Sequence, residues 1–253
     1  MPTCKRGDAE LYFEEYGAGF PVLLFSPGSV WASIEKWGPR PDGEPRSVLN
    51  WTEVLADQFH VIAMDQRNAR NSSGALLADH GWDTYAHDQL AIMDHLGIDK
   101  FHTIGACIGG SYCLNIARLA PDRVCSVVLQ NPIGLHPDYP TYFPGNVDDW
   151  SAALMETRDD IKPDAVASFK ANMFGEKCPS PDFVFSVDKD FVRTLNTPAM
   201  LMHGKDKPHP AVTSAELEKL LPKSALMLKD WESPEHTDVQ RDTVIEFLKK
   251  HTP

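Results

Sequence analysis

The chain lacks any apolar run approaching the roughly 20 residues that span a bilayer, so no transmembrane helix is expected. It also lacks an apolar signal core at the start, where Met1-Pro2-Thr3-Cys4-Lys5-Arg6-Gly7-Asp8 leads into a polar segment and nothing marks export. Cysteine is sparse: Cys4, Cys107, Cys113, Cys125 and Cys178 are odd in number, widely scattered and free of CxxC spacing. That set fits neither a disulfide framework nor a zinc site, and a reducing cytoplasm is the expected compartment. No histidine pair forms a motif such as H-E-x-x-H, so neither a metal nor a cofactor is expected. Positive charge is in deficit, with 24 Lys and Arg against 36 Asp and Glu and a formal net charge of −12. Such a surface repels phosphate backbones and anionic lipid. Nucleic acid and membrane partners are therefore disfavoured, a small-molecule substrate is expected, and self-association stays open.

What is present is enough apolar residue for one large core: 42% of 253 residues. Apolar runs alternate with amphipathic stretches, which predicts an α/β fold with a mostly parallel central sheet flanked by helices. Strands are expected over 8–16, 21–26, 60–65, 100–106, 124–130, just after Pro198, and over 224–229. Ala86, Leu90, Met93 and Leu96 recur at helical spacing, and Gly97 is placed to close that helix as a C-cap. Further helices are expected over 109–120, from Ser214 through Leu221, and over 238–250. Residues 133–197 break the rhythm, being rich in proline, aromatics and charge. They predict a helical cap inserted into a core made of 1–132 and 198–253, roofing the strand ends where open α/β sheets bind ligands.

The motif that carries chemistry is Gly105-Ala106-Cys107-Ile108-Gly109-Gly110, between a buried strand and an amphipathic helix. In such a strand–turn–helix elbow the central residue is strained and projects above the sheet, and small neighbours let strand and helix approach. The helix N-terminus favours negative charge there, which lowers a thiol pKa and enriches the thiolate. Cys113 and Cys125 read as core, and Cys4 and Cys178 as surface or loop thiols. With this elbow and this order of elements, the chain resembles the α/β-hydrolase-fold superfamily over nearly its whole length. The cysteine elbow is similar to that of dienelactone hydrolases, which use a Cys-His-Asp triad. The insertion after residue 132 resembles instead capped esterases, C–C hydrolases and cofactor-free haloperoxidases, and a group of bacterial hydrolases shares a G-x-C-I-G-G elbow.

The resemblance implies a triad in the order nucleophile, acid, histidine. Asp206, in the turn His203-Gly204-Lys205-Asp206, is the candidate acid. His236, in the loop after the last predicted strand, is the candidate base by position, although Glu235 stands where the family often has glycine. His209 is the rival, because it is close to Asp206 in sequence. The family's oxyanion hole maps onto the backbone N–H groups of Ile108 and Gly28, since Pro27 has none. Ser29 could add a hydroxyl. The segment Asp65-Gln66-Arg67-Asn68-Ala69-Arg70-Asn71-Ser72 matches the family's D-x-R-G-x-G-x-S only in part and reads as structural. Tyr139, Tyr142 and Phe143 are among the aromatics available to a pocket. The expected function is a hydrolase in which a Cys107 thiolate attacks an ester, thioester or lactone of a small organic molecule. Two alternatives remain at this point: a C–C bond hydrolase or lyase, and a non-catalytic ligand-binding protein.

Overall fold

The computed structural model describes residues 2–40, 42–43, 49–222 and 225–253. Its strands are β1 (Thr3–Arg6), β2 (Ala9–Tyr16), β3 (Phe20–Phe25), β4 (Phe59–Met64), β5 (Phe101–Ala106), β6 (Val124–Gln130), β7 (Ala199–Met202) and β8 (Leu226–Leu228). They form one sheet in the order β1-β2-β4-β3-β5-β6-β7-β8. Pairing is antiparallel for β1–β2 and β2–β4, and parallel from β4 to β8. The alternation of elements predicts this mostly parallel sheet with flanking helices, and the fold is the α/β-hydrolase fold that the resemblance implies. Strand β1 was not expected: Thr3-Cys4-Lys5-Arg6 is polar in sequence, and it is backbone pairing with β2 that makes it a strand. Ser224, in the predicted last strand, lies outside the described residues.

The helices are α1 (Trp51–Val54), α2 (Trp82–His95), α3 (Ile108–Leu119), α4 (Tyr142–Met155), α5 (Pro163–Phe174), α6 (Lys189–Arg193), α7 (Ala211–Leu220) and α8 (Thr237–Lys250). Helix α2 ends as its sequence predicts. Gly97 takes φ +68°, the Ile98 N–H donates to the Met93 carbonyl at 2.9 Å, and the Gly97 N–H to Asp94 at 3.1 Å. This is the Schellman pattern, in which the left-handed residue is cheapest as glycine. All six residues of β5 are buried, as a central parallel strand covered on both faces requires.

Between β6 and β7 run α4, α5 and α6, fastened to the rest of the molecule by polar contacts. The Trp150 indole N–H donates to the Asn68 carbonyl at 3.1 Å, and Trp82 to the Met173 carbonyl at 2.8 Å. Ser111 of α3 donates to the Val184 carbonyl and its own carbonyl accepts from Ser186, both at 2.8 Å. Phe143 stacks on Phe174 with ring centroids 5.4 Å apart, and Phe185 meets both edge-on. Each such aromatic pair contributes about 0.5–1.5 kcal/mol beyond its burial. Under this insertion the Asp65–Ser72 segment is held by ion pairs. Arg67 places Nε and Nη2 on the Asp88 carboxylate at 2.7 and 2.9 Å, both side chains buried. Arg6 adds a second cation to Asp88 at 2.9 Å, and Asp8 lies 3.4 Å from Arg67. Asp65 accepts from the Ile34 N–H at 2.8 Å and from Asn71, which ties this segment to the loop after β3.

Three thiols are not where the sequence suggests: Cys125, read as core, is only half-buried on β6, and two read as surface thiols are buried. Cys4 on β1 is buried, with its sulfur 3.4 Å from the Ala91 carbonyl of α2, and Cys178 is buried under the inserted helices. Both act as small apolar groups rather than surface thiols.

Candidate active site

Three neighbouring strands deliver the site at their C-terminal ends. Cys107 follows β5 and is the N-cap of α3, with φ +60° and ψ −121°. A non-glycine residue held there costs about 1–3 kcal/mol, so the surroundings must impose it. The flanking glycines show how. A Cβ on Gly105 would stand 2.0 Å from the Gly109 carbonyl oxygen, and one on Gly109 would stand 2.2 Å from the Phe25 carbonyl oxygen of β3. Strand and helix therefore meet closer than any side chain allows, and the Cys107 side chain is forced upward. It is 8% exposed.

Two backbone N–H groups, those of Gly28 and Ile108, lie beside the Cys107 sulfur and favour its thiolate. Gly28 has φ +127°, a region that suits glycine, and opens the turn Ser29–Trp31. These are the two N–H groups onto which the resemblance maps an oxyanion hole. Burial resists ionisation of the thiol, but the positive charge of His209, with the Gly28 and Ile108 N–H groups, outweighs it. The Cys107 pKa lies below the usual thiol value. Burial pushes the other shifted thiols the opposite way, Cys113 up to about 12 and Cys178 to about 11.

After β7 comes the loop that carries Asp206 and His209. Gly204 permits its fold: a Cβ there would lie 2.6 Å from the Cβ of His209. The chain can therefore turn back onto the strand end, and Asp206 fixes it there. One carboxylate oxygen lies 2.6 Å from His209 Nδ1 and also accepts the His209 backbone N–H at 2.9 Å. The other ring nitrogen, Nε2, is buried with no aligned hydrogen bond, and the Cys107 thiol is the group it interacts with. Burial disfavours the charged ring, yet the Cys107 and Asp206 charges raise the His209 pKa to about 10. Asp206 is lowered in turn, its burial outweighed by His209.

His236, the base favoured by triad order, is not brought to Cys107. It ends the 3₁₀ turn Pro234–His236 as N-cap of α8, and it lines a cleft with Met227, Trp231, Val239 and Gln240. The reason is Trp231, which is buried and donates to the His203 carbonyl at 2.8 Å, anchoring the loop after β8 by its indole. The Asp206 carboxylate is taken by His209.

Tyr142, the first residue of α4, leans over the site. Burial and the Cys107 and Asp206 charges raise its pKa. Lys207 places its ammonium 3.2 Å above the Tyr139 ring, joining the Asp206–His209 loop to the inserted segment. One residue in this group has no motif in the sequence. Asn131, directly after β6, is buried with φ +36° and touches both the Cys107 backbone and the His209 ring. The one signal available beforehand is its place at a strand end beside Pro132. Among the described residues no group of three or more His, Cys, Asp or Glu is arranged to hold a metal ion. No described helix is long and apolar enough to cross a membrane.

A strained residue at the strand-to-helix turn, two N–H groups beside its sulfur and a histidine held by a carboxylate thus meet at the strand ends of an α/β-hydrolase fold. The sequence profile described as alpha/beta hydrolase fold matches residues 42–160. The chain is 31% identical over 131 residues to a protein of Azorhizobium caulinodans assigned as the carbamate hydrolase RutD, a match covering 52% of this chain and 44% of that one. It is 24% identical over 256 residues to the uncharacterised carboxylesterase nap of Bacillus subtilis, covering 92% of this chain and 80% of the relative. Among solved structures, the meta-cleavage product hydrolase CumD of Pseudomonas fluorescens IP01 superposes with a TM-score of 0.66 at 20% identity, covering 100% of this chain and 98% of that one. At that identity the likeness speaks to the fold. The chain spans about half the length of the carbamate hydrolase relatives that it matches.

Proposed function

We propose that this protein is a cysteine hydrolase acting on an ester, thioester or lactone of a small organic molecule. The observation that carries the reading is the line Cys107–His209–Asp206, with the Gly28 and Ile108 N–H groups converging on the sulfur. His209 takes the place first given to His236. A thiolate paired with an imidazolium is the resting form that these charges favour.

In the free protein the two N–H groups hold the thiolate. When substrate enters, the sulfur turns to the carbonyl carbon and the carbonyl oxygen takes over those donors as it becomes an oxyanion. The tetrahedral adduct collapses, the bond to the leaving group breaks, and His209 Nε2–H protonates that group. The neutral ring then accepts a proton from water, whose oxygen attacks the thioacyl carbon. Collapse of the second adduct releases the acid and returns the sulfur as thiolate beside a protonated His209. Asp206 holds Nδ1–H throughout, fixing the ring's tautomer and orientation.

The non-catalytic alternative needed both histidines to miss Cys107, and the position of His209 weighs against it. The test is intact-protein mass spectrometry after exposure to a panel of activated esters, thioesters and lactones. An acyl adduct on Cys107, absent from Cys107→Ala, is expected. Undiminished hydrolysis by Cys107→Ala would overturn the reading.

A further inference from the structure

Asn131 occupies the gap between the elbow and the histidine. Its Oδ1 accepts the Cys107 backbone N–H at 3.3 Å, a proton shared with the Gln130 carbonyl at 3.0 Å. Its Nδ2 lies 3.4 Å from His209 Nδ1. Its own N–H donates to the Met202 carbonyl at 2.8 Å, so the backbone is fixed to β7 and the amide cannot drift. The strands β5, β6 and β7 thus end on Cys107, Asn131 and the Asp206–His209 loop, and the Asn131 amide is the polar bridge across them.

We propose that Asn131 is a positioning residue of the reaction, holding the His209 ring in register with Cys107; the proposal rests on the Cys107–His209 reading above. Three features carry it. The residue keeps a left-handed backbone, which asparagine tolerates better than most L residues. It is 5% exposed, so the amide is not there for solvent. Moreover, the Cys107 N–H already has the Gln130 carbonyl, so Asn131 is not needed to satisfy it. What the side chain adds is a wall on the Nδ1 edge of His209. That wall is neutral, which leaves Asp206 as the carboxylate bonded to Nδ1. An imidazole that pivots toward Asn131 meets the amide, and the ring is kept on the Asp206–Cys107 line.

Two variants test this. Asn131→Gly deletes the side chain while easing the positive φ, and Asn131→Asp keeps the shape but adds a charge. The readouts are the rate of iodoacetamide attack at Cys107 against pH, followed by peptide mass spectrometry, together with kcat and KM on the substrate found above. The titratable groups around the pair are Asp206, Tyr142 from α4 and Tyr112 from α3. Both tyrosines are raised above their usual range. Asn131→Gly should lower kcat on the order of tenfold with KM unchanged, a fraction of the hundred- to ten-thousandfold that general acid–base catalysis contributes. Asn131→Asp should move both limbs of the alkylation profile to higher pH by about one unit, since an added carboxylate opposes the thiolate and favours the imidazolium.

Wild-type profiles and kcat in both variants would overturn the proposal. So would loss of the fold in both, which would make Asn131 a structural residue. The alkylation readout needs no substrate. If the Cys107 acyl adduct fails to appear but the profiles still shift, the hydrolase reading fails and the Asn131 assignment stands.

Discussion

The loops after β7 and β8 each carry an acidic residue and a histidine, yet the structure uses them differently. In the first, Asp206 and His209 are three residues apart and bonded to each other, and His209 is turned onto Cys107 by the contact with Gly204. In the second, Trp231 takes the buried place and His236 becomes the cap of α8. Which histidine lies beside Cys107 follows from which side chain each loop buries. A small residue at 204 lets the first loop fold inward, and a large residue at 231 fixes the second by its indole.

The widest separation between the loops should appear in turnover. Cys107→Ala and His209→Ala should each lower kcat/KM on the order of ten-thousandfold or more, because nucleophile and base act as a unit. His236→Ala should stay within about twofold, as a surface substitution outside the site does. Asp206→Asn should follow with a loss of roughly a hundred- to ten-thousandfold, since the ring loses its charged partner and its fixed tautomer. Circular dichroism should find the fold intact in all four. Trp231→Ala should reverse the order, leaving the Cys107 alkylation profile near wild type while removing about 3–5 kcal/mol of stability, read by urea unfolding. The smallest effect is expected for Lys207→Met, which removes the contact with Tyr139. An exposed cation–π pair is worth about 0.5–1 kcal/mol, so KM should change by roughly two- to fivefold with kcat near wild type.

The parts of this arrangement that rest on local sterics were legible in the sequence. Gly105 and Gly109 mark the elbow because no Cβ fits there, and the buried strands show as apolar runs. The Asp65–Ser72 segment departs from the family pattern, and its Asp65 and Arg67 bond Ile34, Asn71 and Asp88. What was not legible depends on contacts between distant segments. The different placing of His209 and His236 depends on Trp231 reaching the His203 carbonyl and on Gly204 leaving room for the His209 Cβ and backbone. Cys4 reads as a surface thiol until β1 pairs with β2 and meets α2. Asn131 has no pattern at all, because its role is set by where three strands end.

The central claim is that His209 holds Cys107 as a thiolate. The direct measurement is the rate of iodoacetamide attack at Cys107 over roughly pH 5 to 10, the span of ordinary histidine and thiol ionisation, in wild type, His209→Gln and His236→Gln. In wild type the low-pH limb should lie below the ordinary thiol value of 9.0, because the imidazolium favours the thiolate. Its upper change should fall near pH 10, where His209 gives up its proton. Without the imidazolium, burial alone governs the sulfur, so His209→Gln should push the low-pH limb to the ordinary thiol range or beyond. His236→Gln should overlay wild type. A His209→Gln profile that overlays wild type, or a shift produced by His236→Gln instead, would contradict the account.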